Sequence, residues 1–230
     1  MRRINSRSLL KRYIKKYRIN EMFSNNLEEY MELIAFEKGE YLSRDGERIE
    51  HLLFFVKGKA KVYINLENGK SLLLCFYYPF MLFGDLELVS QNPASTNTVV
   101  IDEVHCIALP LNKVREELLK DSRFMGCVCA SLGDKLERAS KNGTINLLYP
   151  LENRVASYII ATMEKVQNED KLFQFNENLT NLAELLGTSY RHLLRVLNKL
   201  VEENFLEKQK GGYIVINEEK LRDLAADIYR

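Results

Sequence analysis

The chain has 230 residues, of which 46% are hydrophobic and 28% charged, enough for the core of one large domain or two modest ones. The formal net charge is only +1. The net charge of the chain therefore does not attract nucleic acid, and any site for a polyanion has to be a local patch of basic residues. Wholly apolar stretches such as Leu52 to Val56 are far shorter than the roughly 20 residues of a transmembrane helix. This excludes an integral membrane protein.

The N-terminal segment is strongly basic. No acidic residue occurs before Glu21, whereas residues 1–18 carry Arg2, Arg3, Arg7, Lys11, Arg12, Lys15, Lys16 and Arg18. A transit peptide is one interpretation, but neither the apolar core of a secretory signal nor a cleavage site accompanies the basic residues. We favour a basic surface helix within residues 1–22 that turns Leu10, Ile14 and Tyr17 inward.

The four cysteines are Cys75, Cys106, Cys127 and Cys129. They are too sparse for a disulfide scaffold and form no C-x-x-C pair, which favours a reducing, cytoplasmic location. Cys127 and Cys129 are two residues apart on a predicted helix and point in different directions. We expect them to be small buried hydrophobes, although two-fold symmetry would bring one of them to its copy and create a redox switch.

Residues 23–110 are predicted to form a compact antiparallel β-domain, a small barrel or jelly roll. Short apolar runs between Ile34 and Leu109 are separated by glycine-containing turns, among them Lys57-Gly58 and Asn68-Gly69. The clearest strands are residues 52–56, 60–64 and 71–77. Asn68-Gly69 is the strongest hairpin signal, because both residues tolerate the positive φ of a tight turn.

After Pro110 the apolar residues fall at helical spacing, and we expect a helical region over residues 111–143 that closes at Asn142-Gly143. Its apolar positions are Val114, Leu118, Phe124, Val128, Leu132, Leu136 and Ala139. The stripe from Phe124 to Ala139 is narrow, which suits packing against a single partner. That partner is either a second copy of this helix or the chain's own β-domain, and the periodicity alone favours neither.

Residues 144–230 are predicted to form a second domain. Its first helix follows Pro150 and presents Leu151, Val155, Ile159, Met163 and Val166 on one face, and a polar loop covers residues 167–171. Residues 179–200 read LTNLAELLGTSYRHLLRVLNKL. This pattern predicts a short helix capped by Asn178 or Thr180, a turn at Gly187, and a second helix capped by Ser189.

The second of these helices has an inward apolar stripe and an outward face with Arg191, Arg195 and Asn198. No acidic residue lies between Glu184 and Glu202. Arginine and asparagine on a helix suit the major groove of DNA, where they pair with guanine and adenine edges; an ordinary helical hairpin with a solvated face is the alternative. Residues 205–216 predict two short strands around a turn, a wing whose Lys208 and Lys210 would touch phosphate.

Several motifs occur in a fixed order: KGE at 38–40, FVKGKAKVY at 55–63, FGDLEL at 83–88 and LLGTSYRHLLRVLNKL at 185–200. Over residues 22–227 the chain resembles the Crp/Fnr family of bacterial transcription regulators, and GTSYRHLLRVL with GGYIVIN is similar to the YeiL branch. The resemblance implies an α+β fold with an N-terminal cyclic-nucleotide-binding-like β-roll (jelly roll), a long dimerisation helix and a C-terminal winged helix-turn-helix.

The resemblance also implies the function. We expect a cytoplasmic, homodimeric transcription regulator whose partners are double-stranded DNA, RNA polymerase and a small-molecule effector. By the family pattern, the DNA contacts would be Ser189, Tyr190, Arg191, His192, Arg195 and Lys199, with Lys208 and Lys210 from the wing. Tyr190 and Arg191 stand where the commonest pattern has arginine then glutamate, so we expect a different half-site.

The effector-facing positions implied by the family pattern are Gly84, Asp85, Leu86, Ser95, Thr96 and Ser140. Members that bind cyclic AMP hold the ribose with a glutamate after the Phe-Gly pair and the phosphate with an Arg-Ser pair. This chain has Asp85 and Ala94 in place of the glutamate and the arginine. Because a phosphate in a closed pocket needs a fixed cation or bidentate donor, we expect an effector other than cyclic AMP, or a β-domain that is a vestigial scaffold.

No cofactor, metal site or catalytic group is identified. An iron–sulfur cluster of the Fnr type requires clustered N-terminal thiolates, and the first cysteine is Cys75. Haem would require His51 or His105, each of which is more simply a structural residue. The chain has no Ser/His/Asp grouping, phosphate loop or HExxH motif, so we do not expect an enzyme.

Overall fold

The structure is a computed structural model that describes residues 1–166 and 172–225, and all of their side chains except those of residues 142–147. It divides into two compact units, residues 1–64 with 76–139, and residues 65–75 with the chain from residue 140 onward. Among the described helices, none combines the length and apolarity needed to cross a membrane. Antiparallel sheets and helices are both present, as predicted for an α+β fold.

The N-terminal segment forms the predicted basic helix. Strand β1 (Arg2–Arg3) is followed by α1 (Arg7–Tyr17), and two single 3-10 turns cover Ile19–Met22 and Glu28–Tyr30. Ser6 caps α1 by accepting a hydrogen bond from the Leu9 amide. Ile14 is buried as predicted and Tyr13 joins it, so α1 lies against the β-domain.

The β-domain is built on one seven-stranded sheet. Its elements are β2 (Glu32–Phe36), β3 (Tyr41–Ser43), β4 (His51–Asn65), β5 (Ser71–Tyr77), β6 (Leu82–Phe83), α2 (Asp85–Ser90) and β7 (Asn97–Pro110). The main path is β1-β2-β7-β4-β5, with β3 on β7 and β6 on β4. The sheet buries an aromatic and aliphatic core that includes Phe54, Ile107 and Leu109.

The hairpin prediction at Asn68-Gly69 is confirmed, whereas the turn predicted at Lys57-Gly58 is wrong. Gly69 has φ +77 in a turn closed by the Leu66 amide, which donates to Lys70 O at 2.7 Å. At Gly58, in contrast, β4 continues through a bulge in its pairing with β7. A positive φ serves a bulge as well as a turn, so glycine alone did not distinguish the two.

The long helical region consists of α3 (Leu111–Lys120) and α4 (Ser122–Leu148). Asp121 separates the two helices and caps α4, accepting hydrogen bonds from the Arg123 and Phe124 amides. The predicted end at Asn142-Gly143 is wrong, since α4 runs to Leu148. A long helix tolerates these two residues at a cost of about 1 kcal/mol each or less.

The predicted apolar stripe of α4 is divided between two environments. Phe124 and Val128 are fully buried in the β-domain core, and Leu132 packs against that core. Leu136 is 73% exposed. The first half of the stripe therefore packs on the chain's own β-domain, and this packing does not extend to Leu136.

The C-terminal unit contains the predicted helices and wing. The elements after α4 are α5 (Leu151–Thr162), β8 (Glu164–Lys165), β9 (Phe173–Phe175), α6 (Leu179–Leu185), α7 (Tyr190–Glu202), β10 (Leu206–Gln209), β11 (Gly212–Val215) and α8 (Glu218–Ala225). The strands form one sheet in the order β10-β11-β9-β8. Val166 lies beyond the end of α5 and not on its face as predicted, and the loop predicted at residues 167–171 is outside the described residues.

Gly58→Ala is expected to destabilise the β-domain by about 3 kcal/mol or more, because a Cβ there would lie 2.2 Å from Glu103 O in a backbone with φ +89. Gly39→Ala is the matched control. Gly39 has φ +86 but no atom within 4 Å of the added Cβ, so only the left-handed strain of about 1–2 kcal/mol applies. Urea unfolding followed by tyrosine fluorescence measures both, and equal losses would contradict the bulge interpretation.

Candidate DNA-reading helix and effector site

The turn between α6 and α7 has the geometry that the sequence predicted. Asn178 caps α6, accepting hydrogen bonds from the Thr180 and Asn181 amides. Gly187 has φ +60, the left-handed conformation that glycine adopts at little cost. Ser189 Oγ accepts a hydrogen bond from the His192 amide at 3.2 Å and so starts α7. The two helices are joined by a short, fixed turn.

Helix α7 separates an apolar face from a polar one. Its inner face is buried, with Leu193, Val196, Leu197 and Leu200 each 5% exposed or less. The predicted readers Ser189, Tyr190, Arg191, His192 and Arg195 are all exposed. The N-terminal half of α7 thus presents two guanidinium groups, an imidazole and a phenol to solvent, as a helix that enters a groove requires.

Lys199, a further predicted DNA contact on α7, is also exposed, but its ammonium is ion-paired within the chain. Its ammonium lies 2.9 Å from both carboxylate oxygens of Glu152 and 3.8 Å from Glu203. The hydrogen bond to Glu152 raises the pKa of Lys199 above its ordinary value. This ion pair ties the C-terminal end of α7 to α5, so the structure gives Lys199 a positioning contact within its own unit.

Sequence reasoning missed a second contact that positions the motif. Arg154, on α5, donates from Nη1 to the carbonyl of Leu186 at 2.7 Å. That carbonyl stands at the C-terminal cap of α6, where orphan carbonyls need donors. The α6–α7 turn is therefore fixed from α5 as well as by its own residues.

The predicted wing is present. Strands β10 and β11 pair antiparallel, and Lys210 and Gly211 form the two-residue turn between Gln209 and Gly212. Gly211 has φ +98, whereas Lys210 does not have a positive φ, which is the pattern of a type II turn with glycine at its third position. Lys208 and Lys210 are exposed, so both ammonium groups are available to phosphate.

In the β-domain, the predicted effector residues are only partly brought together. Gly84 has φ +86, and a Cβ there would lie 2.9 Å from His51 O. Asp85 is fully buried. Its carboxylate accepts a hydrogen bond from Ser131 Oγ at 2.7 Å and forms an ion pair with Lys135 Nζ. Both partners come from α4, and the lysine ammonium also lies 5.5 Å from the ring centre of Tyr77.

Among the other predicted effector positions, Leu86 joins this cluster through its backbone amide, which donates to Asp85 Oδ1 at 3.0 Å. Leu86 and Ser95 are exposed, and Thr96 uses its carbonyl to accept from Ser43 Oγ. Ser140 is exposed on α4, and the α4 side chains that reach Asp85 are Ser131 and Lys135. Lys135 is the residue that sequence reasoning missed, although its spacing of four from Ser131 on a helix was a usable signal.

A cyclic nucleotide does not fit the residues present. The carboxylate that would hold a ribose is already saturated by Leu86 N, Ser131 and Lys135. Ala94 replaces the phosphate-binding arginine and is buried, with its amide donating to Glu47 O and its carbonyl accepting from Gly46 N. Position 85 therefore offers no free carboxylate for a ribose, and position 94 offers no cation for a phosphate.

The β-domain has a separate polar cleft of about 1490 Å³. It is lined by charged residues of both signs, including Arg48, Glu87 and Arg115. Arg115 donates to the carbonyls of Glu87 and Leu88 at the end of α2. Burial raises the pKa of the Glu87 carboxyl above its usual value.

The histidines and cysteines form no metal site in the described part of the chain. His105 is buried, and its Nδ1 lies 3.2 Å from Tyr13 Oη. None of the four cysteines forms a disulfide; Cys106 is buried, which raises the pKa of its thiol, and Cys129 is exposed on α4. His105 is thus buried in contact with α1.

Comparisons with known proteins match both units. A sequence model of the cyclic nucleotide-binding domain matches residues 33–121, and one of the Crp-like helix-turn-helix domain matches residues 153–224. The regulatory protein YeiL of Escherichia coli O157:H7 is 32% identical, over 85% of this chain and 86% of its own. The cyclic AMP receptor protein of Thermus thermophilus is 26% identical, over 85% and 89%.

The fold also matches a solved structure. A crp/fnr-family transcriptional regulator from Eubacterium rectale superimposes with a TM-score of 0.70 over 87% of this chain and 92% of its own, at 12% identity. At that identity, the match supports the fold alone.

Lys135→Met is expected to lower stability by about 2–4 kcal/mol, because it leaves the buried Asp85 carboxylate without its cation. The double variant Asp85→Asn with Lys135→Met should recover most of the loss, since both charges are then removed. Lys120→Met, at an exposed lysine 4.0 Å from Glu116, is the control and should change stability by less than about 1 kcal/mol. Urea unfolding midpoints measure the stability of all three variants. A double variant less stable than Lys135→Met would contradict the ion pair between Asp85 and Lys135.

Proposed function

This chain belongs to the Crp/Fnr family of transcription regulators, and we propose that it binds a two-fold symmetric operator as a homodimer through the N-terminal half of α7. Proteins of this family are DNA-binding regulators, not enzymes. The observation that carries the proposal is the exposure of Tyr190, Arg191, His192 and Arg195 on a helix whose opposite face is fully buried.

The proposed reading chemistry follows from these side chains. Arg191 and Arg195 are one helical turn apart, and each guanidinium can donate two hydrogen bonds to a guanine. The Ser189 hydroxyl accepts the capping hydrogen bond of α7, so Ser189 positions the helix. Lys208 and Lys210 on the wing contact phosphate and fix the orientation without adding sequence information.

The dimer forms along α4. Gly126, Cys129, Gly133, Leu136 and Ser140 follow heptad spacing and are all exposed, on a helix whose other side packs in the β-domain core. Three- and four-residue spacing gives the seam of a two-stranded coiled coil, and glycines allow the two helices to approach closely. In such a dimer the recognition helices meet half-sites one helical turn apart, about 34 Å.

Regulation acts through the β-domain on α4. Asp85 joins the two, because its carboxylate binds Ser131 and Lys135 of α4. An effector other than a cyclic nucleotide, or a redox event, would change the arrangement of the α4 helices and so the spacing of the recognition helices, provided that it favours one arrangement. RNA polymerase is the proposed partner at the promoter, in the bacterial cytoplasm.

The second candidate function is a regulator with a vestigial β-domain, controlled by its abundance. It is favoured by the contacts of Asp85 with Ser131 and Lys135, because a carboxylate bonded within the chain can serve as a permanent scaffold contact. A ligand that raises the melting temperature or operator affinity would support the sensing regulator, since selective binding stabilises the folded state.

Selection of bound sites from random duplex DNA tests the main proposal. We expect a two-fold symmetric consensus with half-sites about one helical turn apart, recovered equally with and without cyclic AMP. Recovery of no consensus would contradict sequence-specific binding.

On the recovered operator, Arg195→Ala is expected to cost about 1–3 kcal/mol and to relax preference at one base position. Lys210→Ala on the wing is the matched control. It should weaken binding to all sequences equally and reduce the salt slope by about 1.8, or 0.9 for the wing of each protomer. Fluorescence anisotropy on single-base operator variants measures both effects. Uniform weakening by Arg195→Ala would make that residue a phosphate contact.

Leu136→Glu is expected to weaken dimerisation about tenfold or more, which corresponds to about 1.4 kcal/mol, because it places two carboxylates in the apolar seam. Leu86→Glu is the control, at a leucine of α2 that is 47% exposed. Sedimentation equilibrium gives the dissociation constants. A change of the same size in both variants would place the dimer contact elsewhere.

A further inference from the structure

The positive charge of the chain is concentrated away from the DNA-reading unit. Residues 1–18 hold eight basic side chains and no acidic one, and the rest of the chain holds 25 basic and 32 acidic residues. Residues 151–230, which contain α7 and the wing, hold 11 basic and 13 acidic residues. The unit that reads DNA therefore has little electrostatic attraction of its own for a phosphate backbone.

Helix α1 is a fixed surface and not a loose tail. Ile14 and Tyr13 are buried against the β-domain. The Tyr13 hydroxyl lies 3.2 Å from His105 Nδ1, and the Tyr17 hydroxyl donates to Val56 O at 3.0 Å. The helix that carries the cations is thus fixed before any partner binds, which reduces the backbone entropy lost on binding.

Five of these cations have no acidic partner in the described part of the chain, although Arg12 and Lys16 lie over the rings of Tyr13 and Tyr17. Arg7, Lys11, Arg12, Lys15 and Lys16 are exposed, and none has an acidic partner within 4 Å among residues 1–166 and 172–225. Three pairs among them are four residues apart, a spacing at which like charges destabilise a helix. Burial of the inner face of α1 offsets this repulsion, and an external anion would relieve it.

The exposed face of α1 indicates which kind of anion. It consists of these five cations and Ser8, while Leu9 and Leu10 pack against the β-domain core. A membrane-binding helix needs an exposed apolar face, and a protein interface needs an apolar centre. The phosphate backbone needs only cations. Helix α1 is about 16 Å long, a length over which duplex DNA carries about nine phosphates.

We propose that the exposed face of α1 binds the phosphate backbone of DNA that flanks the operator. The proposal rests on the function proposed above, because operator binding by α7 brings the flanking duplex to high effective concentration. The contact adds affinity and salt dependence without sequence preference.

The test compares Lys11→Gln/Lys15→Gln with the control Lys113→Gln/Lys120→Gln, which removes two exposed lysines of α3. Glutamine and lysine have similar helix propensity, so circular dichroism should show equal folding. Affinity is measured against salt on two duplexes. One ends just outside the half-sites, and the other continues for about two further turns of about 10 bp on each side.

For the α1 variant on the long duplex, the slope of log affinity against log salt should become shallower by about 3.6, or 0.9 for each of the four phosphate contacts that the homodimer loses. Its slope on the short duplex, and both slopes of the control, should match the unmodified protein. Equal slopes for all proteins on the long duplex would overturn the proposal and leave an acidic protein surface as the partner of α1. An equal decrease in the salt slope of the α1 variant on both duplexes would also overturn the proposal. If the unmodified protein recognises no operator, the proposed function itself has failed.

Discussion

The charge of Asp85 constrains the whole β-domain. Burying an isolated carboxylate in an apolar interior costs several kcal/mol. A fully buried aspartate therefore requires a cation or hydrogen-bond donors that the folded chain itself supplies. Here these groups are Ser131 and Lys135 of α4. The carboxylate can release α4 only if another cation or donor takes the place of Lys135. The carboxylate is thereby bonded within the chain, by Leu86 N, Ser131 and Lys135.

Sequence reasoning succeeded where a residue's role is local. Gly187, Ser189 and Asn178 act within a few residues of their own position, so their spacing alone predicted the turn and both caps. The division of α7 into two faces follows equally from helical periodicity. The contacts of Arg154 with Leu186 and of Lys199 with Glu152 join residues 32 and 47 positions apart. No local pattern reveals such pairs, because tertiary packing creates them.

The errors in the β-domain and α4 have a related physical cause. Glycine signals a backbone conformation and not the element that uses it, so Gly58 marked a bulge where a turn was expected. Asn142-Gly143 marked a helix end where α4 in fact continues to Leu148, because a long helix can absorb a small propensity cost. The stripe on α4 predicted one partner, but Phe124 and Leu136 lie in different environments. Helical periodicity predicts which face of a helix a side chain lies on, but the elements packed against that face determine whether the side chain is buried.

The distribution of charge along the chain separates two tasks that a regulator performs on one DNA molecule. Base readers need few charges, since discrimination comes from directed hydrogen bonds, and excess cations on α7 would strengthen binding to every sequence alike. An acidic balance in the C-terminal unit therefore favours specificity over affinity. Cations fixed on α1, in contrast, contribute where phosphate is near and sequence does not matter. A net charge of +1 hides this division, because the charge of +8 on residues 1–18 is nearly cancelled by the charge of −7 on the rest of the chain.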